Sequence, residues 1–454
     1  MKEKKCSVQK NEEFILDITG ITGEGQGIGR KEGMIVFVPG ALPGETVKVH
    51  VIKVTSSYAV AKCLEILQES HSRIDPPCVV YERCGGCTLQ HLKYQDQLEL
   101  KQQQVIDALE RLGGFKKPPV EKTVGMEEPW RYRNKGAFPF GKTKEGFSVF
   151  GFYAERSHRL IPISDCLIQD KRTVEIARKV AVWAEENDIQ PYDEQTGLGC
   201  LRHVMARVTS EGESMAVVIT KGPLKKQEML ADALSDIDSV YHNRNDAATN
   251  VIFGETDTLI SGKETIEERI CGYRFQIGPR SFLQVNPIQT EKLYRIAVDF
   301  VNGNNLGTAL DLYCGIGTIS LLLADSFKHV IGIEIVESAI KDAKENAQRN
   351  RINNVDFYSG DVGKVVPKIL KGGCVPDVVV LDPPRKGCEA GVLDLLVKNN
   401  IKKIVYISCN PSTLARDASY LANSGFQLIK AIPVDMFPNT SHVETVALLQ
   451  RDNL

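Results

Sequence analysis

Between residues 12 and 66 short apolar runs alternate with turns: FILDITGI, GMIVFVPGALPGETVKVHVIKV and YAVAKCLEIL. Glycine is dense between Gly20 and Gly44. Alternation of this kind, broken by turn residues, predicts a small OB-like β-barrel over residues 12–66. The pattern fits a generic β-domain as well as an oligonucleotide-binding module. The period then changes. Residues 93–113, KYQDQLELKQQQVIDALERLG, carry Leu98, Val105, Ile106, Leu109 and Leu112 at helical spacing and stop at Gly113-Gly114. This predicts a polar amphipathic helix. Residues 126–280 read mostly as strands, with one helix near 171–187. From about residue 290, strands alternate with helical patterns: TALDLY, HVIGIEIV, VDFYS, PDVVVLD, KKIVYIS, QLIKAIPVD and TVALLQR. That βαβ series predicts a Rossmann-like, doubly wound parallel sheet closing a multidomain α/β chain.

Composition narrows the function classes. A chain of 454 residues has room for two or three domains. The net charge of −2 gives no bulk basicity, so a polyanion must be met by a local patch. Met-Lys-Glu-Lys-Lys at the start is followed by polar residues rather than an apolar leader, and no apolar run is long enough to span a bilayer. The expectation is a cytoplasmic protein, monomeric, with no membrane partner. In that compartment 12 cysteines point to metal binding or catalysis rather than disulfides.

DLYCGIGTISLLLA, residues 311–324, follows a strand and opens a helix. Its Gly315-Ile316-Gly317 turn lets backbone approach a ligand closely. Glu334 ends the next strand, where a carboxylate suits a ribose diol. The fuller G-x-G-x-x-G is absent, because Thr318, Ile319 and Ser320 follow. Fewer glycines suit a ligand without a pyrophosphate, such as S-adenosylmethionine. Asp361 in SGDV is placed to approach the adenine or to cap a loop. Asp382 ends the apolar strand of VVVLDPPRKG at the carboxyl edge, where ligands bind in such sheets. Pro383 and Pro384 fix the loop, and Arg385 is a surface cation or a holder of an anionic group. The following strand runs into YISCNP and ends at Cys409. Glu334, Asp382 and Cys409 should therefore share one edge of one sheet, which argues against reading Cys409 as a merely buried thiol.

In this order, DLYCGIGT, LDPPRKG, YISCNPSTLARD and HVETVALL, preceded by FLQVN at 282–286, resemble the RNA (uracil-5-)-methyltransferases. The resemblance covers essentially the whole chain. It implies a TRAM-type barrel over 1–67, an iron–sulfur and RNA-binding central domain over 68–92 and 126–280, and a methyltransferase domain over 93–125 and 281–454. Uracil C5 is a poor nucleophile. A thiolate adding at C6 turns C5 into an enolate carbon that can attack a sulfonium methyl, and a base must then remove the C5 proton. Cys409 is the candidate nucleophile; by resemblance Glu444 is the base. Gln284 carries a donor and an acceptor, which suits a uracil edge. The resemblance also sets it beside the cofactor with Tyr313, Glu334 and Asp382. The target uridine must leave its stack to reach such a pocket. Cys314 reads as a small filler in the glycine turn, and Cys388 as the rival thiol nearest the edge. Pro383-Pro384-Arg385 stand where RNA cytosine-5 methyltransferases carry a Pro-Cys pair, which weakens that alternative.

Cys78, Cys84 and Cys87 form a C-x5-C-x2-C run, compatible with zinc or with an iron–sulfur cluster. The resemblance supplies Cys166 as a fourth ligand and implies a structural [4Fe-4S] cluster. Between Phe115 and Arg159 ten Lys/Arg stand against five Glu, and nine of the chain's 31 aromatics fall there. That mixture suits single-stranded RNA through phosphate contact and stacking, though a core strand pair with solvated charges gives a similar string. Together these features point to S-adenosylmethionine-dependent methylation of uridine C5 in RNA. The barrel-bearing, cysteine-rich architecture resembles the branch acting on 23S ribosomal RNA. The alternatives are a tRNA uridine C5 methyltransferase and an iron–sulfur RNA-binding protein with a degenerate methyltransferase domain.

Overall fold

The computed structural model describes residues 8–143, 145–301, 306–399 and 401–451. Strands Glu13–Ile21, Gln26–Lys31, Met34–Pro39, Thr46–Val54 and Tyr58–Gln68 close into a barrel. Its alternating positions Leu16, Ile18, Val36, Val38, Val47, Val49 and Val51 fill the interior, as the period of two requires. The barrel is tied to the chain beyond it by Glu45, whose buried carboxylate accepts from Arg73 Nε at 2.5 Å.

Seven strands of the described residues form the central sheet, from Thr256–Gly262 at one edge to Leu160–Pro162 at the other. The helix Lys171–Glu186 covers one face and buries Trp183 there. Strands Leu201–Val208 and Ser214–Thr220 are buried along their whole length. Ala206, Ala216 and Val218 pack on the helix side, while Met205, Met215, Val217 and Ile219 join the core of the second seven-stranded sheet. That two-sided burial explains the unbroken apolar run MAVVI. Four of the nine aromatics between Phe115 and Arg159 lie inside, while Phe147 is 62% exposed. Tyr132, Phe138, Phe140 and Phe150 are buried, and the three phenylalanines pack in the central core. On the strand pair Lys135–Lys142 and Ser148–Tyr153, Lys142 is exposed while burial lowers the Lys135 amine to about 8.

The second large sheet carries the glycine turn, Asp382 and Cys409. From one edge its order is Val355–Ser359, Phe327–Glu334, Leu306–Leu312, Val378–Leu381, Lys403–Ser408, Glu444–Arg451 and Phe426–Val434. It is not wholly parallel as expected. Glu444–Arg451 runs antiparallel to both neighbours. The link between Val434 and Glu444 contains no helix, and a parallel return needs a crossover of a dozen or more residues. Helix Tyr94–Arg111 packs Val105, Ala108 and Leu109 against Leu414, Ala415 and Ala418 of helix Pro411–Asn423. Its buried face also includes Gln97 and Lys101, whereas the expected apolar position Leu112 is 61% exposed. Among the described residues, no helix is long and apolar enough to cross a membrane.

Candidate active site

The glycine turn opens directly from strand Leu306–Leu312. Tyr313, Gly315 and Gly317 all have left-handed backbone, with φ of 71°, 54° and 83°. A Cβ on Gly317 would stand 2.9 Å from the ring of Phe357, so only glycine fits there. A Cβ on Gly315 meets nothing within 4 Å, so its side of the turn is open. Tyr313 pays a conformational penalty that a non-glycine residue tolerates mainly at functional sites. The backbone N–H groups of Tyr313 and Cys314 donate to the Ile333 carbonyl at 2.9 and 3.0 Å. Those of Gly315 and Val336 donate to the Glu334 carboxylate at 3.3 and 2.9 Å. Glu334 is thus aimed across the turn. Asp361 stands at the N-cap of helix Val362–Lys371 but makes no capping bond with its side chain. The cap reading of Asp361 is therefore not met.

Asp311 was not singled out from the sequence as a site residue. It is fully buried, and its Oδ2 accepts from Ser320 Oγ at 2.5 Å. Its Oδ1 has no partner among the described residues. Burial pushes its carboxyl up to about 7. Asp382 follows strand Val378–Leu381, and its N–H donates to Leu312 O at 3.3 Å. The residue keeps some surface, but its carboxyl lies deep. Burial, then the charge of Asp311, raise it to about 7. Gln284 is half-buried on the segment leading into helix Pro287–Val301. Its neighbours are fixed by Asn134 N–H on Val285 O at 2.8 Å and by Asn286 Nδ2 on Met436 O at 3.0 Å.

Register brings Cys409 and Glu444 together. Ser408 pairs with Thr445 across the antiparallel strands, so the end of one strand meets the start of the other. The Cys409 thiol is pushed up to about 11 by burial, then by Glu444 and Asp382, while Arg385 pulls it down. Glu444 is buried and raised to about 8 by burial and Asp382, again opposed by Arg385. Two carboxyls, a thiol and a guanidinium thus act on one another at the ligand edge of the sheet. Cys409, Arg385 and His442 face a cleft of about 960 Å³ whose far wall includes Gly23 and Glu24 of the barrel and Gln104 of helix Tyr94–Arg111. The rival Cys388 is buried; burial pushes its thiol up to about 12, and Tyr406 and Tyr313 lie against it. Cys314 is buried in the core, as a filler would be.

Cys78, Cys84, Cys87 and Cys166 line one cavity of about 320 Å³. All four are free thiols. Cys87 is pushed up to about 12, by burial first and then by the other three. The described residues do not themselves show the expected metal site. Among the described residues, no group of three or more His, Cys, Asp or Glu is placed to hold a metal ion. The thiols ring a cavity; they do not close on one point.

Residues 8–64 match the family model of the TRAM domain, 227–360 that of tRNA (Uracil-5-)-methyltransferase, and 304–424 that of a methyltransferase domain. An uncharacterized RNA methyltransferase of Clostridium tetani is 44% identical over 98% of each chain. One from Halalkalibacterium halodurans is 44% identical over 100% of each. The chain belongs to the RNA (uracil-5-)-methyltransferases. As a member of that family it is an S-adenosylmethionine-dependent RNA-modifying enzyme. Among solved structures, the Pyrococcus abyssi tRNA (uracil-54, C5)-methyltransferase in complex with S-adenosyl-L-homocysteine superposes with a TM-score of 0.78 at 29% identity. The match covers 96% of this chain and 100% of that one.

Proposed function

We propose that this methyltransferase modifies C5 of a uridine in 23S ribosomal RNA, with Cys409 as nucleophile and Glu444 as base. The observation that carries the reading is the antiparallel register that joins Cys409 and Glu444 at the ligand edge. Tyr313, Gly315, Gly317, Glu334, Asp361, Asp382 and Gln284 would hold S-adenosylmethionine, which supplies an electrophilic methyl. Cys409 gives its proton to solvent water, and its thiolate sulfur bonds to C6 of the flipped uracil. The C5=C6 electrons move toward C5 and O4 as an enolate, a charge that the Arg385 guanidinium favours. C5 then takes the methyl. Ionised Glu444 removes the C5 proton, C5=C6 reforms, and the Cys409–C6 bond breaks. The enzyme is taken to work in the cytoplasm as a monomer. The proposed division of labour is barrel 1–67, central domain 68–92 with 126–280, and catalytic domain 93–125 with 281–454.

A second reading, a tRNA substrate, is favoured by one observation: a tRNA enzyme matches 96% of this chain, so its architecture alone does not select ribosomal RNA. Mapping 5-methyluridine in 23S rRNA and tRNA from a deletion strain separates the two. Loss in 23S rRNA supports the first reading. Loss confined to tRNA replaces it with the second, and intact 5-methyluridine in both rejects the two together. The four cysteines fit an iron–sulfur cluster in donor chemistry, since four thiols ring one cavity and a [4Fe-4S] cluster takes one thiolate per iron. Cys78, Cys84, Cys87 and Cys166 would hold it as a cross-link, outside the methylation steps. Anaerobic purification should give about four irons per chain, the content of a single [4Fe-4S] cluster. Stoichiometric zinc without sulfide rules the cluster out.

A further inference from the structure

Glu444 is reached through a segment, residues 435–443, that has neither helix nor strand. Such a segment leaves its peptide groups in need of partners, and most of this one is buried. Five successive carbonyls are each taken by a group from elsewhere in the chain. Gln289 Nε2 donates to Asp435 O at 3.0 Å, and Asn286 Nδ2 to Met436 O at 3.0 Å. Lys101 Nζ donates to Phe437 O at 3.1 Å, and Tyr132 Oη to Pro438 O at 2.9 Å. The N–H groups of Thr88 and Leu89 both donate to Asn439 O at 3.0 Å.

Asn439 is the hub of this cradle. It is 2% exposed and holds left-handed backbone at φ 65°. Its N–H donates to Gln97 Oε1 at 2.9 Å, and its Oδ1 accepts from Gln97 Nε2 at 3.3 Å. The same Gln97 Nε2 reaches Leu89 O and Leu92 O at 3.0 and 2.9 Å. Ser441 N–H donates to Thr88 Oγ1 at 3.1 Å. Thr88 directly follows Cys87, so the cysteine-bearing segment is bonded to the loop that delivers the base. We propose that Gln97 and Asn439 are positioning residues for Glu444, fixing its carboxylate for proton removal without touching RNA or cofactor. The inference rests on the base assignment made above.

Its signature is a defect in release and not in addition. Wild type, Gln97→Met, Asn439→Gly and Glu444→Gln are incubated with S-adenosylmethionine and a labelled RNA fragment that wild type methylates, and covalent protein–RNA adduct is followed on denaturing gels. Asn439→Gly keeps the backbone carbonyl and tolerates the left-handed φ, so it decides the question should Gln97→Met not fold. A displacement of about 1 Å costs on the order of 100-fold in a positioned step, so adduct should form at the wild-type rate and decay about 10- to 100-fold more slowly in both variants. KM for RNA should not change. Addition and decay slowing in parallel, or decay within about twofold of wild type, overturns the proposal. Glu444→Gln must itself accumulate adduct. If it does and the two variants do not, the positioning role fails alone; if it does not, the base assignment fails and takes the positioning role with it.

Discussion

Arg385 pulls both Cys409 and Glu444 toward their ionised forms, against burial and Asp382. Removing its charge disfavours both anions and raises both titrations. Arg385→Gln should therefore shift the rising limb of the pH–rate profile to higher pH. A shift of about one unit, or 1.4 kcal/mol, is the expected scale and would lower the rate at pH 7 about tenfold. An unshifted profile would separate Arg385 from the thiol. The same site makes a prediction about stability. Asp311 and Asp382 are raised to about 7 and Glu444 to about 8. Near pH 6 the folded chain holds these protons, while the unfolded chain, with carboxyls near 4, has released them. Stability contributed this way is full below about 4 and is lost as pH rises through 7 to 8. Urea midpoints should fall over that window, and Asp382→Asn should flatten the fall. An equally steep decline in Asp382→Asn would discharge that carboxyl from the account.

Helix Tyr94–Arg111 carries a different kind of constraint. Lys101 and Asp435 form an ion pair at 2.5 Å with both side chains fully buried, and Tyr94 Oη adds a bond to Asp435 at 2.8 Å. Breaking such a pair leaves one uncompensated buried charge, which costs about 3–5 kcal/mol. Lys101→Met should lose that much in urea titrations. Lys101→Met with Asp435→Leu should recover part of it, and no recovery would show that the cost is packing and not charge. This helix also marks how far the sequence could be read. Its existence was legible from Val105 and Leu109, which lie on the buried face as expected. Gln97 and Lys101 align with them at helical spacing but read as solvated residues, because their partners Asn439 and Asp435 come from more than 300 positions away. The strand series from TALDLY to TVALLQR was legible because two-sided burial writes unbroken apolar runs. The reversed direction of the last strand was not, since alternation carries no sign of direction. The aromatics after Phe115 could not be sorted from sequence for a related reason: core rings such as Phe138 and exposed rings such as Phe147 share one composition.

Across the whole molecule, the barrel lines the cleft that holds Cys409 while forming a closed sheet of its own. Removing residues 1–67, with Arg73→Gln because its partner Glu45 leaves too, should raise KM for long RNA and lessen the salt dependence of binding. Turnover of a short oligonucleotide at saturation should hold. Equal RNA affinity at every salt concentration would remove the barrel from the binding surface. The order of strands has one more consequence, and it concerns time. The strand that bears Glu444 is the last of the sheet to be synthesised, yet it lies between Lys403–Ser408 and Phe426–Val434, both made earlier. At elongation speeds of about 5–20 residues per second, Cys409 precedes Glu444 out of the ribosome by a delay on the order of seconds. A thiol able to add to RNA without a base to release it would leave a growing chain tethered to RNA. Because the edge beside Cys409 is completed only when Glu444–Arg451 slots in, the proposed nucleophile acquires its surroundings in the same event that delivers its proposed means of escape.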